Sequence, residues 1–183
     1  MHVILTGCDC TGKSFLAKEL SKKLYFPVVN KLHPKSNIFI ECIDFLTQAK
    51  EPFIVDRFHI DEEVYGPLKR GNSRFDFRQY KIVDLLLLML DTVNIYCYDT
   101  ELNISNRLKS SFEKQLITSS EIHSLLLKYK EVITESSVRW IPYKIGDDID
   151  KIADYIRSRF AADDFVKTKI KYLDYRTLGS LKS

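Results

Sequence analysis

Eight consecutive residues, Gly7-Cys8-Asp9-Cys10-Thr11-Gly12-Lys13-Ser14, satisfy the pattern G-x-x-x-x-G-K-[ST] at every constrained position. The chemistry this spacing suits is the cradling of a phosphate chain. Backbone N–H groups of such a loop, and the positive end of a helix that follows it, converge on anionic oxygen. Gly7 and Gly12 permit backbone shapes and a close approach that a Cβ would hinder. Lys13 is placed to reach the β- and γ-phosphates of ATP, and the Ser14 hydroxyl to ligate Mg²⁺. Cys10, Thr11 and Phe15 complete the stretch expected to contact ATP.

A second pair with chemical potential is Asp56-Arg57, which ends the apolar run Phe53-Ile-Val. An acidic residue at a strand tip beside a phosphate loop can hold Mg²⁺, directly or through water. The adjacent guanidinium can bind phosphate oxygens bidentately and neutralise charge that develops during transfer. Further on, His59 to Arg74 is rich in charge and carries Gly66, Pro67 and Gly71. This composition predicts either a plain polar surface loop or a substrate loop that presents Arg70 or Arg74 to an acceptor phosphate. The basic stretch Lys31-Leu-His33-Pro-Lys35 predicts either a solvated connector or the mouth of an acceptor site, with His33 in it. The second reading follows because ligands of open α/β sheets bind beyond the carboxyl ends of the strands.

These residues need elements to hold them. His2 to Thr6 reads as a short buried strand, and Leu16, Ala17, Leu20 and Leu24 fall at helical spacing after the loop. Tyr25 to Asn30 is a second strand, placed at an edge by Pro27. A helix is predicted over 38–49, with Ile38, Cys42, Phe45, Leu46 and Ala49 on one face. Phe53 to Asp56 is apolar on both faces, as an internal parallel strand requires. A long, largely buried helix is predicted over 75–90, then a strand over 93–98. Asn103 to Phe112 carries Ile104 and Leu108 with Arg107, Lys109 and Lys114 nearby. This segment, extended to about residue 118, is expected to form a basic lid, with a plain surface hairpin as the alternative. A capping box at Thr118–Glu121 opens the next helix. Trp140 to Ile145 is a fifth strand at an edge, and Asp147, Asp148 and Asp150 suit the start of a final helix.

The 183 residues are 45% hydrophobic, enough for one core, with a formal net charge of only +3. That charge gives little support to nucleic-acid binding. The longest apolar run, Ile82 to Leu90, is interrupted by Asp84 and is too short to span a bilayer. No secretory signal precedes the first strand, and the four cysteines show no metal-site spacing. A cytoplasmic location with reduced thiols is therefore expected. The organisation read from the chain is one α/β core over 1–162 and a C-terminal extension over 163–183, the latter without a functional reading.

Together these residues resemble the thymidylate kinase and deoxynucleoside kinase superfamily, particularly its short viral members. The resemblance spans about residues 2–160 and rests on three places. The phosphate loop carries Asp9 at its third position, where thymidylate kinases have an acidic residue that approaches the acceptor's 3′-hydroxyl. Asp56-Arg57-Phe58-His59, continuing to Glu63-Val64-Tyr65-Gly66, is similar to the Asp-Arg-aromatic signature and its viral extension, which implies that Tyr65 meets the acceptor. Arg107 to Tyr129 is similar to the lid and the helix after it. The fuller lid pattern has several arginines; here Arg107 stands with lysines, which cannot reproduce a bidentate contact.

The resemblance implies a parallel sheet of about five strands with helices on both faces, and ATP-dependent phosphorylation of a deoxynucleotide. Lys13, Asp56, Arg57 and Arg107 are its expected catalytic residues, Ser14 and Asp56 its Mg²⁺ ligands. Asp9, His33, Arg57, Tyr65, Arg70 and Arg74 are the expected acceptor contacts. The leading acceptor is dTMP or a modified pyrimidine monophosphate. A deoxynucleoside kinase acting on a 5′-hydroxyl, a kinase of modified bases in DNA and a nucleotide sensor stand as alternatives. Whether the chain acts alone or as a homodimer is left open by the sequence.

Overall fold

The computed structural model describes residues 2–30, 37–111 and 116–161. His33 with Lys31 and Lys35, Lys114 within the lid stretch, and the extension over 163–183 lie outside the described residues.

Five parallel strands form one sheet: β1 (Val3–Thr6), β2 (Val28–Asn30), β3 (Ile54–Asp56), β4 (Val93–Cys97) and β5 (Trp140–Tyr143), in the order β2-β3-β1-β4-β5. The edge positions of β2 and β5 agree with the prolines that mark them, Pro27 and Pro142. Strand β1 sits at the centre, with Leu5 aligned to Asp56 on one side and to Ile95 on the other. The carboxyl ends of β1, β3 and β4 therefore lie side by side, and the chemically promising residues follow each of them.

Alternation along the strands divides the core into two layers. Val3, Leu5, Ile54 and Ile95 face α1 (Lys13–Leu24) and a helix α7 over 149–161, which contributes Ala153 and Ile156. Ile4 and Val55 face the opposite side, which is covered by α2 (Ile38–Gln48), α3 (His59–Arg70), α4 (Phe77–Met89) and α6 (Ile122–Glu135). Helix α5 (Glu101–Ser110) leaves the end of β4 and buries Ile104 against the second layer. Thr118 and Glu121 form the expected capping box, on a short 3₁₀ turn that leads into α6. Among the described residues no helix is long and apolar enough to cross a membrane.

Two expectations need correction. Residues 59–70 are not a loop but helix α3, which buries Ile60 and Val64 and also Asp61 and Glu62. The Gly66-Pro67 pair does not end it: Pro67 lies inside the helix, which runs on to Arg70 and is closed by Gly71 at φ +82°. Helix α4 is only half-buried. Tyr80, Val83, Asp84 and Leu87 face the core, whereas Phe77, Leu85, Leu88 and Met89 face solvent.

Candidate active site

The phosphate loop turns sharply out of β1. Gly7 stands at φ +143°, and a Cβ there would lie 2.1 Å from the Cys97 carbonyl oxygen, so only glycine lets β1 and β4 approach this closely. Gly12 caps α1 at φ +89°, and Lys13 and Ser14 open that helix at its positive end. The loop is laced from within. Lys13 Nζ and Thr11 Oγ1 both donate to the Cys8 carbonyl, at 2.6 and 2.7 Å. None of the four cysteines is in a disulfide, and burial pushes the Cys8 thiol up to about 11, so it stays protonated near neutral pH. Phe15 is half-exposed on the first turn of α1.

Asp56 ends β3 directly beside this loop, and Ser14 Oγ donates to its Oδ2 at 2.6 Å. Its Oδ1 is buried without a hydrogen-bond partner, and burial pushes the carboxyl above its ordinary range despite that bond and nearby Lys13. A buried carboxylate oxygen left unsatisfied next to a serine hydroxyl fits a cation. Mg²⁺ is commonly held by one or two such oxygens together with substrate phosphates. Among the described residues no group of three or more His, Cys, Asp or Glu forms a separate metal cluster.

Arg57 follows at φ +80°, a left-handed conformation uncommon for a non-glycine residue, with its N–H donating to the Leu5 carbonyl at 3.0 Å. That turn throws the guanidinium across to the phosphate loop, where it pairs with Asp9 and lies over the Tyr65 ring at 5.0 Å. The other Asp9 oxygen accepts the Leu116 N–H at 2.9 Å, and the Asp9 N–H donates to the Tyr65 hydroxyl at 3.0 Å. Asp9 is thus almost fully buried in an ion pair, with both carboxylate oxygens engaged by protein groups.

A cavity of about 230 Å³ opens beside Arg57. Its floor is aromatic and apolar, from Phe58, Tyr65, Ile38, Cys42 and Leu116. Four cations line it, Arg57, Lys69, Arg70 and Arg74, against two carboxylates, Asp61 and Glu62. Both carboxylates are occupied. Glu62 pairs with Arg70 and, at 2.8 Å, with Arg74, while accepting the Arg74 N–H at 3.0 Å. Burial opposes its charge, but the hydrogen bonds from Arg74 and Arg70 hold its carboxyl below the ordinary range. Asp61 accepts from Thr6 Oγ1 and the Phe58 N–H through one oxygen and faces the Tyr129 hydroxyl with the other.

On the far side of the loop, Arg107 Nε donates to the Cys10 carbonyl at 2.7 Å, and its terminal nitrogen pairs with Asp99. Burial opposes the charge of Asp99, but Arg107, Asn103 and the Thr100 N–H together hold its carboxyl down at about 2. The structure therefore brings Lys13, Ser14, Asp56, Arg57, Asp9 and Arg107 around one loop, and Tyr65, Arg70 and Arg74 around one cavity. Asp61, Glu62, Asp99 and Tyr129 were not singled out by sequence. Two adjacent carboxylates that suit a first helical turn and the Ile60–Val64 spacing were the signals available for the first two.

No protein-family model matches the sequence. The chain is 27% identical over 157 residues to the SPbeta prophage-derived uncharacterized protein YorR of Bacillus subtilis (strain 168), a match covering 82% of this chain and 93% of YorR. The solved structure of YorR, in complex with phosphorylated GDP, superposes with a TM-score of 0.74 at 23% identity, covering 90% of this chain and 98% of that one. Deoxyadenosine kinase from M. mycoides, solved with dCMP and dCDP, gives 0.56 at 18% identity over 88% of this chain and 99% of that one. The chain has the P-loop kinase fold. Within that fold the phosphate loop, the Asp56-Arg57 strand tip and the cavity all lie at the carboxyl edge of one parallel sheet, as ligand sites of open α/β sheets do.

Proposed function

We propose that the chain transfers the γ-phosphoryl group of ATP to a deoxynucleoside monophosphate, with dTMP or a modified pyrimidine relative as acceptor. The observation that carries this reading is the cavity beside Arg57, where two guanidiniums, Arg70 and Arg74, share one carboxylate and neither lining carboxylate is free to take a proton. A hydroxyl acceptor benefits from a carboxylate within hydrogen-bond reach. A phosphate acceptor is already ionised and needs positive charge instead. The similar structures of YorR and deoxyadenosine kinase, solved with phosphorylated GDP and with dCMP and dCDP, support a nucleotide ligand without specifying the base. The prophage origin of YorR supports the viral type of the resemblance.

In this reading the loop N–H groups and Lys13 bind the donor's phosphates. Ser14 and Asp56 would hold Mg²⁺, which would supply positive charge to the donor's phosphates. Arg57 stands between the loop and the cavity, where charge develops on the transferring group, and Arg107 completes the donor side. Arg70, Arg74 and Lys69 bind the acceptor's phosphate, and Tyr65 and Phe58 pack against its sugar and base. A coupled ADP-release assay across nucleosides, monophosphates and oligonucleotides tests the proposal; no acceptor-dependent ADP release from any monophosphate would overturn it.

A 5′-hydroxyl acceptor is the second reading, favoured by one placement. Glu41 lies on the first turn of α2, between the cavity-lining Ile38 and Cys42. Faster turnover of thymidine than of dTMP would make Glu41 the candidate base.

A further inference from the structure

The Tyr129 hydroxyl lies where the acceptor-side helices meet the phosphate loop. Tyr129 projects from α6, is fully buried, and places its oxygen 2.8 Å from the Gly7 carbonyl oxygen and 2.7 Å from Asp61 Oδ1. Both neighbours are acceptors, so the one hydroxyl proton is shared between them. Burial, and then the charge of Asp61, raise the phenol well above its ordinary value, so the proton stays in place near neutral pH.

What the hydroxyl touches sets it apart from an ordinary core tyrosine. Tyr80, buried beneath the same helix, donates to a single backbone carbonyl, that of Val132, at 3.4 Å. Tyr129 instead grips the first peptide of the phosphate loop. The Gly7 carbonyl and the Cys8 N–H belong to one planar trans unit, so orienting the first orients the second. Gly7 is wedged on its other side against the Cys97 carbonyl, and the Cys8 carbonyl beyond it anchors Lys13. Asp61 continues the chain of contacts outward, because it receives Thr6 Oγ1 at 2.7 Å and lines the acceptor cavity.

We propose that Tyr129 is a positioning residue, whose hydroxyl holds the Gly7–Cys8 peptide in the orientation that binds the donor's phosphates and ties it to Asp61 on the acceptor side. The inference rests on the phosphate-loop reading above, and its test separates the two. Tyr129→Phe removes one oxygen atom, and Tyr80→Phe does the same at a control site. The full-length variants are compared with the wild type for MgATP affinity without acceptor, for kcat with dTMP, and for thermal midpoint.

Tyr129→Phe is expected to weaken MgATP binding about three- to tenfold, the equilibrium counterpart of one hydrogen bond. It should also lower kcat by about tenfold through misplacement of the loop. Tyr80→Phe should leave both unchanged whatever its thermal midpoint. Unchanged MgATP affinity and kcat in Tyr129→Phe would overturn the inference, even with a lowered midpoint, since that is what a purely structural hydroxyl gives. Should Tyr129→Phe fail to fold, Thr6→Val takes a donor from Asp61 at the other end of the same contacts. The same losses at smaller amplitude are then expected, and wild-type behaviour counts against the inference. A wild type that binds MgATP but releases no ADP with any acceptor defeats the proposed reaction while leaving the binding comparison intact. A wild type that binds no MgATP defeats both.

Discussion

Arg57 and Asp9 pair across the gap between the tip of β3 and the phosphate loop, with the Arg57 guanidinium also stacked over Tyr65. The pair joins the donor's cradle to the acceptor cavity, since Arg57 and Tyr65 line the cavity and Asp9 belongs to the loop. The resemblance to thymidylate kinases implies an acidic residue at this position that meets the acceptor's 3′-hydroxyl. Here both of its oxygens are engaged by Arg57 and the Leu116 N–H. Its charge thus also aims Arg57.

This relationship gives a paired prediction. Arg57→Ala should lower kcat far more than it weakens ATP binding; arginines that stabilise a transferring phosphoryl group are worth on the order of 10³–10⁵ in rate. Asp9→Asn should reproduce part of that loss, because it removes the charge that aims the guanidinium. Steady-state kinetics of both variants and the double variant checks this, and the two losses should be strongly non-additive. If Arg57→Ala changes only the acceptor's KM, its role is binding alone.

Lys13→Ala should lower turnover by at least about a hundredfold, in the range seen when one transition-state donor is removed. Lys13 is buried, but its ammonium contacts the loop's own Cys8 carbonyl rather than an apolar layer. Far-UV circular dichroism should accordingly stay native. Activity retained in this variant would remove the role assigned to the loop.

The sheet was legible because each strand carries a local signal, an apolar run bounded by turn residues. The phosphate loop was legible because its constraint is also local, glycines at fixed spacing before a lysine. Helix α3 was not, since Gly66-Pro67 and a run of charge mimic a loop. Its buried charges find partners that local spacing does not announce: Asp61 in Thr6 and Tyr129, far along the chain, and Glu62 in Arg70 at the end of the same helix and Arg74 just beyond it. A carboxylate whose counter-groups come from other elements looks in sequence like any solvated one. Asp99 was hidden in a similar way, since beside the local bonds from Thr100 and Asn103 it is met by Arg107 and by the distant Lys144.

A buried pair away from the cavity predicts an acid limit to stability. Asp84 on α4 accepts from Ser136 Oγ and the Ser137 N–H and lies 2.9 Å from His59 Nε2, with Tyr80 packed alongside. Burial opposes its charge, but the hydrogen bond and charge of His59 and the bonds from residues 136 and 137 outweigh it, so its carboxyl sits below the ordinary value of 3.8. A carboxyl depressed on folding contributes stability that is present above its unfolded value and is lost as pH falls through the folded one. Denaturant titrations should therefore show this contribution fading below about pH 4, toward the depressed folded value. Asp84→Asn should flatten that acid limb and lower stability at neutral pH by about 1–3 kcal/mol, the penalty for disturbing buried partners. An unchanged pH profile in the variant would show that Asp84 does not carry the limit.

The last prediction concerns the acceptor, and it follows from how charge is spent in the cavity. Arg70 and Arg74 converge on Glu62, which neutralises one of them and leaves the pair with a net positive charge, beside Lys69 and Arg57 that are matched by Glu121 and Asp9. A dianionic phosphate can exchange places with part of that carboxylate's contacts and retain the guanidinium hydrogen bonds, whereas a neutral 5′-hydroxyl offers one weak acceptor in return. A site built for charge-assisted bonds also leaves its donors unpaired when the phosphate is missing, which is how polar sites reject such analogues. dTMP should accordingly be phosphorylated with a kcat/KM at least about 10²-fold above that of thymidine. Arg74→Ala should erode this preference by raising the KM for dTMP while leaving the residual thymidine activity in place. Glu62→Gln, which frees both arginines from their carboxylate, should lower the KM for dTMP, provided thermal melting shows the fold retained. Competition by inorganic phosphate reads the same site without a nucleoside: it should inhibit wild type more strongly than Arg74→Ala. Thymidine outpacing dTMP, with phosphate inhibition insensitive to Arg74, would turn the assignment to the hydroxyl acceptor and to Glu41.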